Sequence, residues 1–295
     1  MTWCVIGTWE MAAQGAVKAA DLLAKNGTAK QATLAGVQDV EDNPEFHSVG
    51  YGGLPGKDGH IAMDAGYMDG DTLHFGAVSA LEGFRSPAAV AQSLADGDAN
   101  NFRTGAGAAL YAEEHGFEKR NNLTPEAQEI FEKKKVEALK AYDGHDTVCF
   151  LALDQKGTIC ATTSTSGLFM KEPGRVGDTP MPGVGYYADS EVGAAAATGM
   201  GEEIAKGALS YAAVAAMKAG LPVQSAAEQA VKELHDSLIR RNGYAQPMSL
   251  IAIDAHGSWG IGTNCEFTFA VADDKHAMCV YEVIPQEAGL EIRQK

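Results

Sequence analysis

Four short segments in the middle third of the chain carry residue types that can do chemistry: Gly144-His145-Asp146-Thr147, Thr163-Ser164-Thr165-Ser166-Gly167, Gly174-Arg175-Val176-Gly177-Asp178 and Ala197-Thr198-Gly199-Met200-Gly201. A threonine hydroxyl is a poor nucleophile unless a base stands beside it, and a free α-amine on the same residue is such a base. Inside a chain that nitrogen is an amide and is not basic, so a threonine can work this way only after the bond before it is cut. Arg175 has a planar fork suited to a carboxylate, and Asp178 has the charge to pair with an ammonium; together they suit a free amino-acid head. Taken singly, each segment has a plainer reading. A threonine at a strand start is an ordinary β-former, Arg-Val-Gly-Asp is a charged turn, and a Thr-Gly step before a helix is a cap.

Other motifs fail when their chemistry is tested. In Gly50-Tyr51-Gly52-Gly53-Leu54-Pro55-Gly56-Lys57, a phosphate cradle needs glycine where Tyr51 stands and Ser or Thr where Asp58 stands. The eight histidines have no metal-ligand spacing, and Asp69-Gly70-Asp71 lacks the repeated oxygens of a calcium loop, so neither a metal nor a cofactor is expected. Gly199-Met200-Gly201 is half a dinucleotide fingerprint, but Glu202 and Glu203 follow where a pyrophosphate would sit. Those acids suit a helix N-terminus and would repel phosphate.

The elements that must position these residues read as strands and helices in mixed order. Trp3 to Thr8 alternates like a strand, and Ala16 to Leu23 has helical spacing. Two strand-like runs between His60 and Ala80 flank Asp69-Gly70, which predicts a tight hairpin turn there. Ser86-Pro87 and Thr124-Pro125 each offer an N-cap followed by proline at the first helical position, predicting helices near 86–96 and 124–142. Val148 to Leu153 and Ile159 to Thr163 form a second hairpin through Asp154-Gln155-Lys156-Gly157. A Gly-rich loop is expected over about 171–201, then helices near 202–219 and 223–239. Strands around 250–254, 259–262, 268–271 and 278–283 close the chain. Helices grouped between hairpins imply an α+β fold of antiparallel sheet covered by helix layers.

Composition narrows the function classes. With 39 acidic and 23 basic residues, the net charge of -16 repels phosphate backbones and anionic membrane surfaces, so neither nucleic acid nor membrane is an expected partner. Lys133, Lys134, Lys135 and Lys140 are interleaved with Glu132 and Glu137, as on a solvated helix face. Cys4, Cys149, Cys160, Cys265 and Cys279 are odd in number and lack Cys-x-x-Cys spacing, which argues against a disulfide framework or zinc cage. The N-terminus has no basic region followed by an apolar run, and no stretch is apolar for about 20 residues, so a cytoplasmic location is expected.

In order and spacing, the four segments resemble the glycosylasparaginase group of the N-terminal-nucleophile hydrolases, which includes plant-type asparaginases and isoaspartyl peptidases. The resemblance extends to Thr8-Trp9, Ser48 to Gly53, Asp64 to Gly70, Gly76-Ala77-Val78, Tyr187-Ala188-Asp189 and the alanines at 194–197, and so covers nearly the whole chain. It implies a single-domain four-layer αββα sandwich. It also implies self-cleavage between Asp146 and Thr147 into chains 1–146 and 147–295, with His145 and Asp146 holding a strained junction. In the mature site it implies Thr147 as nucleophile and base, Thr165 as the hydroxyl orienting it, and Thr198 and the Gly199 N–H as the oxyanion hole. Arg175 and Asp178 would hold the substrate head, with Gly201 lining the site. A dimer of cleaved pairs is the assembly usual in the group.

Trp9 and the His-Asp-Thr junction look more like glycosylasparaginases than isoaspartyl peptidases. Trp9 either presents an aromatic wall to the leaving group or packs in the core behind the first strand. The reaction implied is hydrolysis of the side-chain amide of N-acetylglucosaminyl-asparagine. An isoaspartyl dipeptidase or L-asparaginase using the same residues is the alternative, and an uncleaved amino-acid-binding protein is the alternative from another class. Two departures from the group's pattern are the bulk of Cys149 and Phe150, where a small residue is common, and the run Met170 to Pro173 ahead of the Arg175 segment.

Overall fold

Two largely antiparallel sheets lie face to face in a computed structural model of the chain, which describes residues 2–97, 99–134, 147–286 and 289–295. The strands are β1 (Cys4–Thr8), β2 (Met63–Asp69), β3 (Phe75–Leu81), β4 (Phe102–Thr104), β5 (Val148–Leu153), β6 (Ile159–Thr165), β7 (Tyr186–Asp189), β8 (Gly193–Gly199), β9 (Met248–Asp254), β10 (Trp259–Thr263), β11 (Phe267–Asp273), β12 (Cys279–Gln286) and β13 (Gly289–Gln294). The larger sheet runs β13-β12-β11-β1-β5-β6-β2-β3-β4 and the smaller β10-β9-β8-β7. Helices α1 (Ala13–Ala24), α2 (Ala29–Glu41) and α3 (Pro87–Leu94) cover the outer face of the larger sheet; α4 (Gly105–Glu114) flanks β3 and β4, and α5 (Pro125–Lys134) follows. Beyond α6 (Gly201–Gly207), α7 (Leu209–Lys218) and α8 (Val223–Asn242) cover the smaller sheet, completing an α+β sandwich of four layers, αββα.

The alternation along β8 explains how the layers meet. Ala194 and Ala196 face the larger sheet, beside Ile6, Cys149 and Leu151, whereas Ala195 and Ala197 face the helices, beside Leu209, Val214 and Leu234. Both faces are buried, and a methyl group on each lets both neighbouring layers approach closely. The expected loop over 171–201 is therefore wrong in its second half, which supplies β7 and β8.

Phe150 turns inward from β5 into the core beneath α1 and α2. A Cβ built on Gly7, Gly15 or Gly36 would come within 2.9 Å of its ring. These three glycines accommodate the bulk that the sequence shows at this position.

Ser86 and Thr124 cap their helices as expected, accepting the N–H groups of Ala89 at 3.3 Å and Ala127 at 3.1 Å. The portion of the second helix expected beyond Lys134 lies outside the described residues. The β2–β3 hairpin forms, but not through a tight Asp-Gly turn. Its loop spans 70–74, its left-handed residue is Leu73 (φ 59), and the Asp69 carboxylate accepts the N–H groups of Asp71 and Thr72. Ala208 (φ 44) splits the helix expected over 202–219 into α6 and α7.

At the end of α2, Glu41 is fully buried and ties three elements together. Its carboxyl accepts from Ser164 at 2.7 Å, Ser86 at 2.6 Å and the Ala88 N–H at 3.1 Å. Burial pushes that carboxyl up to about 7, against the pull of these donors. Ser164 is thereby fixed on the face of β6 opposite Thr165.

Candidate active site

Thr147 stands immediately before β5, in the middle of the larger sheet, and is 6 % exposed. Its position is set from β1. The ladder between β1 and β5 ends at Gly7 and Phe150. Beyond it the Thr8 hydroxyl takes over, donating to the Thr147 carbonyl at 2.6 Å and accepting the Cys149 N–H at 2.8 Å. Trp9 then turns away with φ 66 and ψ 162, a backbone region that costs a non-glycine residue about 1–3 kcal/mol. This geometry brings the indole Nε1 to the Thr198 hydroxyl, 3.1 Å away, and sets the ring edge-on against Phe267.

Three hydroxyls sit near Thr147, and each is bonded differently. The Thr147 Oγ1 lies 3.2 Å from the Oγ1 of Thr179, a fully buried residue held by a 2.8 Å bond from the Thr163 hydroxyl to its carbonyl. Thr165 lies across from Thr147, since Val148 pairs with Ser164, but its hydroxyl is engaged elsewhere. It donates to the Ser48 carbonyl at 3.4 Å and accepts the Gly167 N–H at 3.0 Å. The Thr198 Oγ1 accepts the Thr147 N–H at 3.2 Å as well as the Trp9 indole. With both lone pairs taken, its hydrogen is left to donate to a third group. Gly199 follows with φ 127, where a Cβ would meet the Pro247 carbonyl oxygen at 2.5 Å, so only glycine turns the chain from β8 toward α6 here.

The charged residues gather beside these hydroxyls. Asp178 is buried, its Oδ2 has no hydrogen-bond partner among the described residues, and burial pushes its carboxyl up to about 7. Gly201 packs against it, for a Cβ there would lie 2.7 Å from Asp178 Oδ1. Arg175 aims its Nε and Nη2 at Glu202, at 2.8 and 2.6 Å. Asp64, opposite Thr165 on β2, is also buried, with one oxygen accepting the Ala80 N–H at 2.9 Å and the other without a hydrogen-bond partner among the described residues. Burial raises its pKa against the opposing pull of Lys171 and Arg175.

Thr8, Asp64, Lys171 and Thr179 all adjoin the candidate site, although reading their residue types assigned them no role. Thr179 had a signal, a hydroxyl immediately after Asp178, but its meeting with Thr147 depends on how the loop folds back. His145 and Asp146 lie outside the described residues. Cys149 is no rival nucleophile: its thiol points to the Ala197 carbonyl at 3.4 Å and burial pushes it well up. No group of three His, Cys, Asp or Glu side chains suited to a metal occurs among the described residues.

Two facing antiparallel sheets between helix layers, with a hydroxyl residue at the head of a central strand, define the N-terminal-nucleophile hydrolase fold. The sequence model of the family described as Asparaginase matches residues 9–282, and the chain belongs to that family. It is 34% identical over 278 residues to an N(4)-(beta-N-acetylglucosaminyl)-L-asparaginase of Elizabethkingia miricola, covering 92% of this chain and 82% of that one. It is 35% identical over 247 residues to a plant-type L-asparaginase of Pyrobaculum calidifontis, covering 81% of each. An isoaspartyl peptidase/L-asparaginase of Rattus norvegicus is 36% identical over 264 residues, covering 86% of this chain and 77% of that one.

Proposed function

We propose that the chain is an amidohydrolase that first cuts itself between Asp146 and Thr147 and then hydrolyses the side-chain amide of N-acetylglucosaminyl-asparagine. The observation that carries this reading is the meeting of three groups at one buried point. The Thr147 nitrogen is 3.2 Å from the Thr198 hydroxyl, and the Thr147 hydroxyl is 3.2 Å from that of Thr179.

In the self-cleavage step the Thr147 Oγ1 attacks the Asp146 carbonyl carbon, the C–N bond breaks, and the acyl group moves to oxygen as an ester. Water then hydrolyses the ester, leaving a carboxyl on Asp146 and an amine on Thr147. An unperturbed α-amine has a pKa of about 8, so a useful fraction is neutral and can take the hydroxyl proton. In turnover the oxygen attacks the substrate amide carbon. Thr198 O–H and Gly199 N–H receive the developing oxyanion, and the proton passes to the departing amine. Water releases aspartate; the amino sugar then loses ammonia. Arg175 and Asp178 hold the α-carboxylate and α-ammonium.

Asp178 makes this reading pH-dependent. An ammonium binds the ionised carboxylate, so affinity for L-aspartate should rise as pH climbs through about 7, where burial places this carboxyl, and level off above. Below that point each pH unit should cost up to about tenfold. Calorimetric titration between pH 6 and pH 8 checks this; a flat profile, or the same rise in Asp178→Asn, contradicts it.

The leaving-group assignment leans on Trp9, whose partly buried ring donates its indole N–H to Thr198 and is held edge-on against the buried Phe267, 4.8 Å away. Parallel rates on N-acetylglucosaminyl-asparagine, a β-aspartyl dipeptide and asparagine test it. The glycosylated substrate should lead in kcat/KM by about tenfold or more, a difference of at least about 1.4 kcal/mol in transition-state stabilisation; a faster dipeptide or free asparagine overturns the assignment.

A further inference from the structure

Arg175 is the only residue of the proposed head-group site whose charged end is already paired with an opposite charge. Two parallel bonds join its Nε and Nη2 to the two carboxylate oxygens of Glu202, and the side chain of Arg175 is 15 % exposed against 51 % for Glu202. A guanidinium has two bidentate edges, one formed by Nε and Nη2 and the other by Nη1 and Nη2. The first edge is taken by Glu202. Nη1 lies beside Gly177, where a Cβ would come within 2.9 Å of it, so the absence of a side chain at 177 leaves room for this end of the fork.

Glu202 also belongs to the segment carrying the proposed oxyanion donors. Thr198 and Gly199 end β8, Gly201 packs on Asp178, and Glu202 stands in the first turn of α6. One continuous stretch of backbone therefore holds both the place where the amide oxygen would sit and the residue gripping Arg175.

We infer that Glu202 is a positioning residue that fixes Arg175 through its Nε/Nη2 edge, so that the Nη1/Nη2 edge meets the substrate α-carboxylate at a set distance from Thr198 and Gly199. The inference rests on the reading of Arg175 as the carboxylate clamp. A charge-paired fork keeps one orientation, whereas an unpaired one samples several rotamers that the substrate must then select. Glu202 thus acts on binding of the amino-acid head rather than on the bond-breaking step. Being half exposed, it can be replaced without opening the core.

The test compares wild type with Glu202→Ala and Glu202→Gln on N-acetylglucosaminyl-asparagine and on the analogue whose α-carboxylate is replaced by hydrogen. On the full substrate KM should rise by about tenfold or more while kcat falls by less than about threefold, the pattern of lost uniform binding. On the analogue, wild type and variants should agree in kcat/KM within about twofold. In an Arg175→Lys background, Glu202→Ala should add less than about twofold, because the fork it positions is gone. Calorimetric Kd values for L-aspartate give the same comparison without turnover and should weaken by about tenfold in Glu202→Ala.

Unchanged Kd and KM overturn the inference, as does an equal loss on both substrates. A lower KM would also overturn it, by showing that Glu202 competes with the substrate for Arg175. Wild-type protein that binds aspartate but hydrolyses none of the amides would sink the hydrolase reading alone, leaving the calorimetric comparison to decide the role of Glu202.

Discussion

Thr147→Ala is expected to run as one unbroken chain and to lose at least about 10⁴-fold in kcat/KM, because in the proposed mechanism one side chain serves both reactions as nucleophile. The loss should not come from misfolding. Thr147 is held through backbone atoms, its carbonyl by Thr8 and its nitrogen by Thr198, and both bonds survive truncation of the side chain. The hydroxyl removed contacts that of Thr179 at 3.2 Å, so a modest drop in melting temperature is the only structural cost expected. Thr147→Ser keeps a hydroxyl at the same place and should retain cleavage and turnover at reduced rates. Denaturing gels and steady-state kinetics of both variants check this; a Thr147→Ala protein that is still cut, or still active, contradicts it.

Thr198→Ala comes second, with kcat expected to fall about 100-fold or more and KM to change by less than about threefold. The Thr198 hydroxyl accepts from the Trp9 indole and from the Thr147 nitrogen, which aims its remaining hydrogen away from both. A donor preoriented in a fully buried position meets charge that develops only in the transition state, so its loss appears in turnover and not in affinity. Thr198→Val separates the hydroxyl from the volume it fills and should resemble the alanine variant, whereas Thr198→Ser should recover most of the activity. Steady-state kinetics of the three variants decide it. A large rise in KM with kcat unchanged would remove Thr198 from the oxyanion hole.

Much of this arrangement is legible in the sequence wherever local chemistry decides the outcome. Ser86-Pro87 and Thr124-Pro125 mark helix starts because a side-chain cap and a preset φ act within one turn. Asp154 marks the β5–β6 hairpin because its carboxylate gathers the N–H groups of Lys156 and Thr158 nearby. The motif residues Thr147, Arg175, Asp178, Thr198 and Gly199 stand in consecutive segments of the chain, so a linear reading finds them.

What the sequence conceals depends on partners far along the chain. The alanine run at 194–197 has no strand signature of its own; it becomes a strand because two layers press on it from either side. Thr179 reaches Thr147 only because Thr163, on a neighbouring strand, anchors its carbonyl. Glu202 reads as an acid suited to a helix N-terminus, and its pairing with Arg175 spans 27 residues. The Asp69-Gly70 expectation fails for the opposite reason: the Asp69 carboxylate organises a longer loop that places Leu73, not glycine, in the left-handed region.

The most direct test of the account is the intact mass of the purified protein together with its N-terminal sequence, read before and after incubation. The account predicts two polypeptides whose masses sum to the 30.9 kDa chain plus one water, one of them beginning at Thr147, with activity growing in step with their appearance. A single full-length species that turns over the amide at full rate would contradict it.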